Sequence, residues 1–142
     1  MNFKKPVRGV KEIFVHHSAS ARPEDDDISV MRKWHLERGY QDVGYHYFIT
    51  SGGVIQPGRN LELIPAAQGG HNTGTIAICL SGVGSAFSDA QFDALRVLCK
   101  EINKAYAGAV TFHGHKEVYA TECPHYDYKK ILKLDATGKL GI

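Results

Sequence analysis

No apolar run in the 142-residue sequence approaches the ~20 residues needed to cross a bilayer as a helix, so no membrane partner is expected. The N-terminal stretch MNFKKPVRGVKE is basic, but no apolar segment follows it. It therefore does not read as a signal peptide, and synthesis in the cytoplasm is the expectation. Cysteine is scarce: Cys79, Cys99 and Cys123 are odd in number and lack paired spacing. That excludes a disulfide-knotted secreted framework and suits a reducing compartment or a metal ligand. Charge of one sign is missing too, since 17 Lys and Arg against 15 Asp and Glu leave a net +2 spread along the chain. Such a balance gives no footprint for nucleic acid. Internal repeats, low-complexity tracts and linkers are absent, so residues 1–142 are expected to form a single domain. A chain of this length buries roughly 68–70% of its unfolded surface, enough for a core without disulfides.

The hydrophobic pattern predicts the elements. EIFVHH (12–17) alternates as a strand, with Phe14 and His16 on one face and Val15 and His17 on the other. ISVMRKWHLERG reads as a helix with Asp27 as N-cap, Gly39 as its stop, and Ile28, Met31 and Trp34 or His35 on one stripe. VGYHYFIT, SGG and VIQPGR read as a hairpin. TIAICLSG is apolar without alternation, as a strand covered on both faces requires. Ser88 and Gln91 form a capping box for a helix whose stripe is Phe92, Leu95, Cys99, Ile102 and Tyr106. AVTFH is a short strand, and a last helix is expected near YDYKKILK. These elements predict a single-domain α/β (α+β) fold with a central mixed sheet of about five strands flanked by about three helices.

Chemistry concentrates where apolar runs stop. His16 or His17 ends the first strand, His113 or His115 follows a later one, and Cys123 lies beyond, in HGHKEVYATECP. Imidazole nitrogen and thiolate sulfur are the donors zinc takes, and catalytic zinc sites commonly use three protein ligands. No zinc-finger spacing is present, so satisfied histidines and a buried cysteine remain the alternative at this level.

Four stretches, in order, carry a resemblance that runs from about Glu12 to Lys130: IFVHHSA, WHLERGYQDVGYHYFI, GGHNTGTIAICLSG and HKEVYATECP. Together they resemble the zinc-dependent N-acetylmuramoyl-L-alanine amidase family, which includes the short-tailed coliphage lysozymes and shares its domain with the animal peptidoglycan recognition proteins. The resemblance implies one zinc ion per chain, held by His16, His115 and Cys123, with water at the fourth position. It implies a catalytic role for Tyr45, and places Thr121 where the coliphage lysozymes carry a lysine and the recognition proteins a threonine. His17, His71, Asn72 and His113 are candidates for the substrate groove, with turn shaping or packing as their alternatives. A further departure is PAAQGGHN, where relatives often show a histidine around Ala66 and Ala67.

The implied reaction is hydrolysis of the amide between the lactyl group of N-acetylmuramic acid and L-alanine in peptidoglycan. The implied protein is a monomeric phage-type endolysin that reaches the wall in the periplasm after release. The alternative is a recognition module of the same fold that binds peptidoglycan without cutting it, although such relatives usually lack the cysteine. A phage RNA polymerase enters as a second partner by family analogy only, with no physical basis in these residues for or against it.

Overall fold

The run at 75–80 becomes the middle of a sheet because each of its six residues finds apolar cover on one face or the other. The computed structural model describes residues 3–142, so the first two residues of the basic N-terminal stretch lie outside it. In chain order the strands are β1 (Glu12–His17), β2 (Tyr47–Ile49), β3 (Ile55–Pro57), β4 (Thr75–Leu80) and β5 (Thr111–Gly114). The helices are α1 (Ile28–Glu37), α2 (Asp89–Ala105) and α3 (Tyr128–Ile131). Sheet order is β3-β2-β4-β1-β5, with β2, β4, β1 and β5 parallel and β3 antiparallel at one edge. The expected fold class, including the mixed sheet and the three helices, is the one observed.

Strand alternation sorts the sheet into two faces. Ile13, Val15, Ile76, Ile78, Leu80, Tyr47 and Ile49 form one core with Leu95, Leu98, Cys99 and Ile102 of α2. Each large aliphatic side chain so buried contributes about 1.5–3 kcal/mol. The α2 start is fixed as its sequence predicts: Ser88 Oγ accepts from Gln91 N at 3.1 Å, and Gln91 Oε1 accepts from Ser88 N at 2.9 Å.

The second face packs Phe48 and Cys79 against Ile28, Met31 and Val43, with Trp34 and Tyr45 beside them. Asp27 caps α1, accepting from Ser29 N. Of the two alternatives for the helix stripe, His35 is buried and Trp34 is half-buried. The Cα register pairs His16 with Cys79 and Cys79 with Phe48, so His16 extends this smaller core to the end of β1. Because β1 and β5 are parallel neighbours, both chains emerge at the same edge. The C-terminal edge of parallel strands is where loops are free to build a site.

Two elements are shorter than the pattern suggested. The hairpin's first strand starts only at Tyr47, because Val43 to His46 make their bonds to loops and to β4. The last helix is a single turn, Tyr128–Ile131, anchored by the buried Tyr128 and Leu132.

Candidate metal centre

His16, His115 and Cys123 meet at that edge, with one ligand atom from each lying within 4.8 Å of the others. His16 Nδ1 is 3.8 Å from Cys123 Sγ, and the His16 and His115 ring centroids are 4.8 Å apart. Zinc–nitrogen and zinc–sulfur bonds of ~2.05 and ~2.3 Å at a tetrahedral angle span about 3.6 Å, so the donor set fits the ion.

Each of the three side chains is positioned differently. His16 is the fifth residue of β1, and its carbonyl accepts from Tyr126 Oη at 3.0 Å. Its Nε2 lies 2.8 Å from Oε1 of the fully buried Gln68. His115 begins a 3₁₀ turn, His115–Glu117, directly after β5, and its ring stacks on Tyr119 at 5.5 Å. The Glu117 carboxylate holds that turn, accepting from Gly114 N at 2.9 Å and from Tyr128 Oη, with His113 Nδ1 2.9 Å away. Gly114 must lack a side chain, since a Cβ there would lie 2.5 Å from Tyr128 Cε1. The loop closes when Lys116 N donates to Cys123 O at 2.9 Å. Thr121 Oγ1 accepts from Cys123 N at 3.2 Å, and His17 N donates to Cys123 Sγ at 3.4 Å.

The electrostatics suit a cation. Burial, followed by the nearby His115 imidazole, pushes His16 down to about 3, and burial also lowers His115. Both rings therefore keep a free lone pair at neutral pH. Burial raises the Cys123 thiol to about 11 against the opposing effect of the His17 N–H, so a cation must displace its proton on binding. Tyr45, whose ring centroid is 5.3 Å from that of His16, is held well above the ordinary phenol value by burial, then by the neighbouring Cys79 and Cys123. Its phenol is a proton donor throughout the physiological range.

The remaining candidates separate. The His17 ring turns away from the ligand set, packs on His125 at 4.5 Å and leaves Nδ1 without a hydrogen-bond partner. Its backbone serves the centre where its side chain does not. His113 lies outside the group of three, packed on Phe14 at 5.3 Å and 2.6 Å from Thr111 Oγ1. His71 is exposed. Asn72 shapes the turn, its Oδ1 accepting from Ala67 N and Gln68 N at 3.1 and 2.9 Å.

Three residues make polar contacts that the sequence pattern does not assign. Gln68 carried no signal, since a glutamine between Ala67 and Gly69 looks like any loop residue. His35 Nδ1 accepts from Gly44 N at 2.7 Å, next to Tyr45, and a Cβ on Gly44 would lie 2.1 Å from Ala66 O. A polar His35 on an apolar helical stripe was the available hint. His46 is buried, accepting from Ala77 N at Nδ1 and donating to Leu63 O from Nε2 at 3.1 and 2.8 Å.

Comparison with known proteins gives a consistent picture. The family described as N-acetylmuramoyl-L-alanine amidase matches residues 5–126. The endolysin of Klebsiella phage KP32 is 36% identical over 126 residues, covering 84% of this chain and 83% of that protein. The endolysin of Escherichia phage T7 is 34% identical over 125 residues, covering 83% and 82%. Among solved structures, the Ph2119 endolysin from a Thermus scotoductus bacteriophage superposes with a TM-score of 0.78 at 26% identity, covering 94% of this chain and 87% of that one.

Proposed function

The chain belongs to the N-acetylmuramoyl-L-alanine amidase family, and from that membership we propose that one zinc ion, held by His16, His115 and Cys123, serves its reaction. The protein is a peptidoglycan hydrolase of the endolysin type that cuts the amide between the lactyl group of N-acetylmuramic acid and L-alanine. The observation that carries the zinc assignment is the convergence of two lowered imidazoles and one thiol from separate parts of the chain, within 4.8 Å. When bound, the ion would supply Lewis acidity, polarising the scissile carbonyl and lowering the pKa of water.

The chain's own groups do the rest. Tyr45, kept protonated, donates a hydrogen bond to the oxygen on which negative charge grows. Thr121 uses its oxygen to accept from Cys123 N, leaving its proton for the substrate. Where a lysine would bring a full charge, this hydroxyl brings a neutral donor. Residues 1–142 act as a single domain, and the enzyme works as a monomer on the wall in the periplasm after synthesis in a host cytoplasm. Among the described residues no helix is long and apolar enough to cross a membrane. Cys123, the ligand a binding-only module would lack, lies beside His16.

Purified protein incubated with peptidoglycan should release new L-alanine amino termini and no new reducing sugar ends. Chelation should stop the release and zinc restore it. Reducing ends, or release indifferent to chelator, would overturn the assignment.

A further inference from the structure

An imidazole can offer a metal only the nitrogen that carries no proton, and the groups behind His16 decide which one that is. The Asn72 carbonyl can only accept, and Thr75 Oγ1, 2.8 Å away, donates its single proton there. The same hydroxyl must then accept from Gln68 Nε2, at 2.8 Å. Gln68 Nε2 also reaches the His71 carbonyl at 3.3 Å, so both contacts on that side call for the amide nitrogen. Gln68 Oε1 is thereby turned to His16 Nε2 at 2.8 Å. A carbonyl oxygen has no proton to give, so the proton sits on His16 Nε2. His16 Nδ1 keeps its lone pair, and it is Nδ1 that faces Cys123 Sγ. Gln68 and Thr75 have no solvent-exposed surface.

We propose that Gln68 is a positioning residue. It transmits the polarity of the Asn72 carbonyl through Thr75 to His16, fixing the tautomer and the ring angle so that Nδ1 is the metal-binding atom. The inference rests on His16 being a ligand and adds what makes it a ligand through that nitrogen. Outer hydrogen-bond partners of metal-bound histidines typically change affinity by roughly 10–100-fold.

The test uses the full chain and zinc as the probe. Zinc dissociation constants from chelator competition are compared for the native protein, Gln68→Leu, Gln68→Glu and Cys123→Ser, alongside their thermal midpoints. Long-range ¹H–¹⁵N NMR of zinc-free native protein reads the His16 tautomer directly and needs no variant to fold. The expected results are a proton on Nε2 in the native protein and affinity lowered by roughly 10–100-fold in Gln68→Leu. Gln68→Glu, which keeps an acceptor for Nε2–H, should restore most of that loss. A proton on Nδ1 in the native protein overturns the proposal, and so does native affinity in Gln68→Leu. If Cys123→Ser also binds zinc as the native chain does, the ligand assignment itself has failed. If Cys123→Ser loses zinc while Gln68→Leu keeps it, only the role of Gln68 has failed.

Discussion

The two sides of the candidate metal centre are built by different means. His16 stands on β1, between two parallel neighbours, with its carbonyl held by Tyr126 and its ring by a buried amide. His115 and Cys123 stand on a loop outside the sheet, where no ladder fixes the backbone. A carboxylate, Glu117, substitutes for the ladder by gathering Gly114 N, Tyr128 Oη and His113 around one turn. A strand positions a ligand through backbone pairing that any sequence can make, whereas this loop depends on particular side chains. The strand side should therefore keep its backbone through side-chain changes that would move the loop, while the His16 ring still depends on Gln68.

That contrast can be tested, beginning with the largest effect. Cys123→Ser removes the only sulfur donor, so zinc content measured on the purified protein should fall toward zero, and amidase activity with it. Retained activity would mean that Cys123 is not a ligand. Tyr45→Phe should lower kcat by an amount corresponding to about 2.7–4 kcal/mol, the scale for losing one transition-state donor, while zinc content stays native. Loss of metal in that variant would make Tyr45 part of the scaffold. Glu117→Ala should destabilise the fold by about 1–3 kcal/mol, through a buried hydroxyl and amide left without acceptors, and weaken zinc binding more than activity per bound zinc. Urea unfolding and zinc titration separate the two quantities.

The smallest effect concerns acid and the buried His46, which lies outside the strands against β4. Burial pushes His46 down to about 4, although its bond to Leu63 O opposes the shift. An unfolded histidine titrates near ~6.5. Between these values the unfolded chain binds more protons than the folded one, so stability falls as pH falls through that window. His46 should account for about 2 kcal/mol of lost stability between ~pH 7 and ~5. His46→Gln should flatten that part of the curve, as read from urea midpoints; an unchanged slope would assign the acid sensitivity elsewhere.

Much of this was legible in the chain before folding. Asp27 and Ser88 announce their helices because capping is local, completed within three residues. The apolar run at 75–80 announces a central strand because cover on both faces leaves no room for alternation. His16, His115 and Cys123 were legible through the ordered motifs around them, while spacing alone left His16 level with His17 and His113 level with His115. Strand alternation explains that limit: it says that neighbours face apart, and not which face meets the loop. The hairpin's late start was hidden because the Val43 to His46 backbone answers to β4, to His35 and to the 59–66 loop, all distant in sequence.

What the sequence determined by itself was the set of elements and the types of donor atom, since periodicity, capping and side-chain chemistry are properties of short stretches. What only the tertiary structure decided was which donors meet and in what state. The parallel pairing of β1 with β5 brings residues about a hundred positions apart to one edge. Gln68 reaches His16 across 52 positions, Tyr126 reaches its carbonyl across 110, and burial shifts the protonation of His16, His115 and Cys123. Those are long-range contacts, and no local pattern encodes the distance between two side chains that the chain brings together only by folding.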